Sequence, residues 1–267
     1  MFQLSREVRF TVNAADVTDG GPSHPAEKPF NSFAGFPSMR GLGSYVSVQV
    51  TLAGALDRCS QYLLNIRDID ALVRQKAIPL VTAAYREQNR WPAALAVDLF
   101  ERLALSGGPS LQSVRLNLSP FLSYSAHVSE LPMVRLTQRF EFSASHRLHN
   151  PELPDSENRE IFGKCNNPNG HGHNYELAVT LVGVPDSSGL LIDIPAFEKI
   201  VAETVIDRFD HRHLNLELPE FADLIPTVEN IAMVIHRLLK PRLESRHARL
   251  TGVTVWETPK TWCEYSE

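Results

Sequence analysis

The hydrophobic pattern of the chain changes period several times. Residues 135–146 alternate, which sets Phe140, Phe142, Ala144 and His146 on one face of a strand. Residues 173–183 alternate again. In IPAFEKIVAETVIDRF (194–209) the period becomes helical, through Phe197, Ile200, Val201 and Val205. TVENIAMVIHRLL (227–239) reads as a second amphipathic helix, with Thr227 placed to cap it. VTVWETPKTWCEY (253–265) reads as two short strands around a Thr-Pro-Lys turn. The predicted order is strand, long loop, strand, helix, helix, strand, strand. That makes an antiparallel sheet with two helices packed on one face, an α+β unit.

The pattern is written twice. GLGSYVSVQVTLAG (41–54) matches GHGHNYELAVTLVG (170–183), 129 residues apart. VRFTVNAADV (8–17) matches QRFEFSASHR (138–147), LNIRDIDALV (64–73) matches LIDIPAFEKI (191–200), and LQSVRLNLSP (111–120) matches LTGVTVWETP (250–259). Four blocks in one order predict a tandem duplication, with domains 1–130 and 131–267 joined near SELPM (129–133). GGPSHPAEKPFNSFAGFPS (20–38), rich in Gly, Pro and Ser, is expected to be a long loop and a candidate lid.

Composition narrows the class. The 267 residues carry a net charge of −5 and no basic block, so nucleic acid is not an expected partner. No signal peptide is read at MFQLSREVRF, and no apolar run is long enough for a membrane span. The three cysteines, Cys59, Cys165 and Cys263, are far apart and form no CxxC pair. A disulfide framework is not expected, and a reducing cytoplasm is. Cys59 and Cys263 read as small buried hydrophobes. Cys165 does not, because its Asn/Pro/Gly loop offers no core.

Three histidines carry the candidate chemistry. His171 and His173, two apart at the start of a strand, project to one side with Gly172 between them. His146 closes the preceding strand. If those strands pair, three imidazoles converge and leave a fourth position open, the pattern of a catalytic zinc site. An isolated HxH would more often be an ordinary loop pair. At the matching positions the first copy has Asp16, Leu42 and Ser44, so the three histidines are absent there together and no zinc is expected in that copy. DHRH (210–213) offers a second HxH, His211 and His213, whose plainer reading is a solvated helix end.

FSASHRL (142–148), FGKCNNPNGHGHNY (162–175), DHRHLN (210–215), TVEN (227–230) and VWET (255–258) resemble the 6-pyruvoyltetrahydropterin synthase family, in its order and spacing. The resemblance covers roughly residues 134–267; the first copy is similar in scaffold only. It implies the tunnelling fold, ββααββ, and conversion of 7,8-dihydroneopterin triphosphate to 6-pyruvoyltetrahydropterin with loss of triphosphate. The related 6-carboxytetrahydropterin synthases of queuosine synthesis use the same substrate. The five residues between Cys165 and His171 favour the pyruvoyl branch.

The resemblance also implies roles. His146, His171 and His173 hold Zn2+, with Mg2+ as an ion that could accompany the triphosphate. Cys165 is the general base, in a relay with Asp210 and His211. Glu257 anchors the pterin through its 2-amino and N3–H groups, against a plainer pairing with Lys260. Thr227 and Glu229 support the pterin pocket, although a helix cap and a first-turn acid explain them equally well. In the first copy Leu118 stands where Glu257 would be. Lys164, Arg147 and Arg159 are the candidates for meeting the triphosphate. A homo-oligomeric ring of such units is expected, with the first copy supplying sheet edges. The readings kept beside the lyase are a pterin-binding scaffold without catalysis and a generic zinc hydrolase. The hydrolase lacks an HExxH base.

Overall fold

The computed structural model describes residues 1–14, 38–39, 41–87 and 91–267. The expected lid, 20–38, lies almost wholly outside them, as does Asp16, the counterpart of His146. The chain divides into two compact units, one of residues 1–136 with 183–191, the other of 137–182 with 192–267.

The first unit is built on β1 (Phe2–Asn13), β2 (Gly43–Gly54), β3 (Ser110–Asn117) and β4 (Leu122–His127), an antiparallel meander in that order. Two helices, α1 (Ile66–Arg86) and α2 (Pro92–Leu103), lie between β2 and β3 in sequence. Val8, Phe10 and Val12 of β1 and Val46, Val48 and Val50 of β2 face the core at every second position. Ile69, Val73, Ala77 and Val81 return the contact from one stripe of α1, and Leu95, Leu99 and Leu103 from α2. Arg6 makes a two-pronged bond to the buried Asp70, Nε to Oδ1 and NH2 to Oδ2, both at 2.9 Å, and so pins α1 to β1.

The second unit repeats the plan with additions. Its sheet runs β5 (Val134–His146), β6 (His171–Gly183), β8 (Arg249–Thr258), β9 (Thr261–Tyr265). A two-residue strand, β7 (Arg212–His213), pairs parallel with β5. A short helix, α3 (Asp155–Phe162), and a 3-10 turn (Gly163–Asn166) fill the connection from β5 to β6. The helices are α4 (Ile194–Val201), continued by a π-turn at Ala202–Ile206, and α5 (Val228–Leu243). Thr227 caps α5 by accepting from Asn230 N–H at 3.3 Å. The core joins Phe142 and Ala144 to Tyr175, Leu177, Val179, Phe197, Val201, Ile231, Ile235, Val253 and Val255.

The strand pairings of the two units share a detail. The β2–β3 register shifts between Thr51 and Leu52, and the β6–β8 register between Thr180 and Leu181. Both bulges fall at the same place in the repeated VTLAG and VTLVG segments. One sequence expectation fails. Cys59 is exposed, not core, because it sits in a turn where Asp57 Oδ1 accepts the Cys59 and Ser60 amides at 3.0 and 2.7 Å. Cys263 is half-buried.

Candidate metal centre and thiol loop

The site starts from strand alternation. Hydrogen bonds between Thr137 and Thr180 Oγ1 atoms (3.0 Å), and from Ser143 Oγ to Asn174 Oδ1 (2.8 Å), tie β5 to β6 on one face of the sheet. The opposite face then carries the cross-strand partners. Phe142 stacks on Tyr175 with centroids 5.0 Å apart, and beyond them His146 meets His171 at 4.6 Å. His173 lies 5.2 Å from His146 and 4.9 Å from His171. One nitrogen from each imidazole falls within 4.8 Å of the others.

Gly170 lets the loop close on this corner. Its φ is +72°, and a Cβ there would sit 2.7 Å from His213 Nε2 and 3.0 Å from His146 O. His213 is half-buried against this glycine, not the solvated helix end that its spacing suggested.

The nitrogens are set up as ligands. His146 is fully buried, and its Nδ1 lies 2.7 Å from Pro226 O. A carbonyl only accepts, so the proton is on Nδ1 and the Nε2 lone pair faces the cluster. Facing it are His171 Nε2 at 3.2 Å and Glu257 Oε1 at 3.3 Å, and that same oxygen is 3.4 Å from His173 Nε2. His173 Nε2 and His171 Nδ1 are buried without a hydrogen-bond partner. Burial and the neighbouring imidazole of His146 hold the His171 pKa below its usual value, and burial holds that of His173 down too. Both rings therefore stay neutral, as ligation requires. Lone pairs crowded at such distances without enough protons repel; a divalent cation among them would take one nitrogen from each imidazole. The residues present fit a metal site with three histidine ligands.

Glu257, expected as the pterin anchor, reaches these imidazoles. Tyr175 is a site residue that the sequence reading missed. It is fully buried, its ring is edge-on to His146 and His173, and its hydroxyl has no partner. Burial, with smaller effects of Glu257 and Cys165, pushes its pKa far up, so it remains a neutral donor. Its position two residues after His173 was the available signal. Glu229 stands in the first turn of α5, and burial, with a smaller effect of Glu229, raises the Cys263 thiol pKa.

Asp210 and His211 come together. Asp210 Oδ2 accepts from His211 Nδ1 at 2.7 Å, while Oδ1 accepts from Ser143 N at 2.7 Å. Those bonds hold the Asp210 pKa below the usual carboxylate range. His211 has a φ of +57° and donates its own N–H to Ser143 O at 2.6 Å. That left-handed backbone is uncommon away from glycine. His211 is 83% exposed and lines a hollow of about 450 Å3 with Ser143, Ser145, His173, Asn174 and Arg212. Cys165 is half-buried on the 3-10 turn. Among the described residues no hydrogen bond joins it to His211, so the chain builds the Asp–His pair and the thiol loop separately.

Three converging imidazoles that could hold a metal ion, on a sheet backed by two helices, share one unit with a thiol loop and an Asp–His pair. Residues 135–267 match the family model described as 6-pyruvoyl tetrahydropterin synthase. The 6-pyruvoyl tetrahydrobiopterin synthase of Drosophila melanogaster is 39% identical over 139 residues, which are 52% of this chain and 82% of that protein. The Homo sapiens enzyme of the same name is 44% identical over 102 residues, 38% of this chain and 70% of that protein. A 6-carboxy-5,6,7,8-tetrahydropterin synthase from Haemophilus influenzae is 28% identical over 156 residues, 51% of this chain and 100% of that protein. The chain belongs to the 6-pyruvoyl tetrahydropterin synthase family. No helix of the described residues is long and apolar enough to cross a membrane.

Proposed function

We propose that this protein is a zinc-dependent 6-pyruvoyltetrahydropterin synthase. It converts 7,8-dihydroneopterin triphosphate to 6-pyruvoyltetrahydropterin and releases triphosphate. The observation that carries this reading is the convergence of His146, His171 and His173, with Glu257 against them. Relatives named for the pyruvoyl activity are 39% and 44% identical, against 28% for the carboxy-type enzyme, which favours the pyruvoyl product.

Zinc on the three imidazole nitrogens would supply Lewis-acid polarisation of the substrate's side-chain oxygens. The chain does the rest. Cys165 takes a carbon-bound proton from the side chain as general base, with the Asp210–His211 pair as its relay. Asp210 fixes the His211 ring so that Nε2 faces outward with a free lone pair. Glu257 orients the pterin by accepting from its 2-amino and N3–H groups; Thr227 and Glu229 shape the same pocket. Tyr175 closes the floor and offers a buried hydroxyl. The first unit, residues 1–130, serves as a degenerate structural copy that supplies sheet edges to a ring of units. The site is expected to work in the cytoplasm.

The test is turnover of 7,8-dihydroneopterin triphosphate by the zinc-loaded protein, with products resolved by mass spectrometry, beside Cys165→Ala. The expected product is the pyruvoyl compound, with kcat lowered about 10²- to 10⁴-fold in the variant while zinc stays bound. A carboxy product with acetaldehyde would move the chain to the other branch. Zinc binding without turnover would leave a pterin-binding scaffold.

A further inference from the structure

The loop that carries Cys165 is tied to the strand that carries His146, and the side chains of Arg147 and Asn166 make most of the tie. Arg147 follows the metal-site histidine directly. Its Nε donates to Asn166 O at 3.2 Å, and its NH2 donates to Asn166 Oδ1 at 3.3 Å. Asn166, buried and next to Cys165, donates through Nδ2 to Leu148 O at 2.8 Å and lies 3.0 Å from His149 Nδ1. Leu148 N–H donates to Cys165 O at 2.9 Å. Asn215 takes the other side of Arg147. Its Oδ1 accepts from Arg147 N at 2.8 Å and its Nδ2 donates to Arg147 O at 3.0 Å, as a neighbouring strand would. Asn215 closes the segment that begins at Asp210 and His211. Three stretches of chain, bearing the metal-site imidazole, the thiol and the Asp–His pair, therefore meet at Arg147.

We infer that Arg147 is a positioning residue for Cys165 rather than a ligand of the substrate's phosphates. The inference rests on the synthase reading. Two of the guanidinium nitrogens are already committed to two oxygens of one residue. A planar fork can grip two acceptors at once; an ammonium cannot copy it. A thiol that takes a proton from carbon must be held within a fraction of an ångström, and a shift of about 1 Å costs about a hundredfold in rate. The arginine that would look like a phosphate ligand by its charge instead sets where the base stands.

The test compares Arg147→Ala, Arg147→Lys and Asn166→Ala. The readouts are bound zinc, kcat and KM, inhibition by inorganic tripolyphosphate, and the rate of Cys165 alkylation by iodoacetamide followed on its own peptide. All three variants are expected to keep zinc and to lose about a hundredfold in kcat. KM and tripolyphosphate inhibition should stay within about twofold of the parent, since uniform substrate binding is not removed. Cys165 alkylation should change several-fold in each. Recovery of kcat in Arg147→Lys would overturn the inference. So would tripolyphosphate inhibition weakened about tenfold in Arg147→Ala with Cys165 alkylation unchanged, since charge alone would then be what matters. If Arg147→Ala does not fold, Arg147→Lys and Asn166→Ala decide. The alkylation comparison needs no turnover, so a parent that fails to convert the pterin triphosphate sinks the synthase reading and still leaves the role of Arg147 measurable.

Discussion

Gly170 shows how much of the metal centre depends on one backbone. Its left-handed φ and its contact with His146 O leave no room for a Cβ. Gly170→Ala keeps all three imidazoles in the chain yet pushes the loop off the strand that ends in His146. Bound zinc per chain should fall sharply, as it would in His171→Ala, and metal analysis of the purified variant is the check. A variant that binds zinc like the parent would mean that the loop yields without disturbing the ligands. At this scale the sequence was direct about the histidines, because i and i+2 on a strand share a face. It was mute about Tyr175, whose role needs the stacked Phe142 and the neighbouring Glu257. It misread Cys59, where a turn closed by Asp57 outweighs the tendency of cysteine to be buried.

Elements stand or fall by a few buried polar anchors. Asn158 of α3 is fully buried, and its Nδ2 donates to Asn150 O and Leu153 O, both at 2.9 Å. Its Oδ1 accepts from Asn150 N at 2.7 Å. Asn158→Ala strands those groups and should cost about 1–3 kcal/mol, read as a shift in the denaturation midpoint. The bonds it breaks all lie in the β5–β6 connection. In the first unit Asp70 holds Arg6 and also offsets the burial of Arg74. Asp70→Ala should cost about 3 kcal/mol, because cationic groups are left less compensated than before. Urea denaturation measures it, and a change under about 0.5 kcal/mol would mark the pair as an ordinary surface bridge. Helix periods and the Thr227 cap were readable in the sequence. The π-turn that extends α4 and the two-residue strand β7 were not, since neither has a periodicity of its own.

On the scale of the whole molecule, the register shifts at Thr51 and Thr180 fall at matching places in the repeated sequence blocks. A ring of such units is the assembly proposed for this chain. Light scattering should return a mass that is a multiple of the single chain; a monomer at working concentration would sink the ring. Mass should be unchanged in Cys165→Ala, which alters no sheet edge.

Sequence alone determined what depends on nearest neighbours along the chain: strand and helix periods, the pairing of His171 with His173, and the adjacency of Asp210 and His211. The tertiary structure decided what depends on which strands meet. It set His146 across from His171, turned Glu257 toward the imidazoles instead of Lys260, and bound Arg147 to Asn166 and Asn215. Alternation tells which face a side chain takes. Only the register of paired strands and the closure of loops tell what lies opposite it.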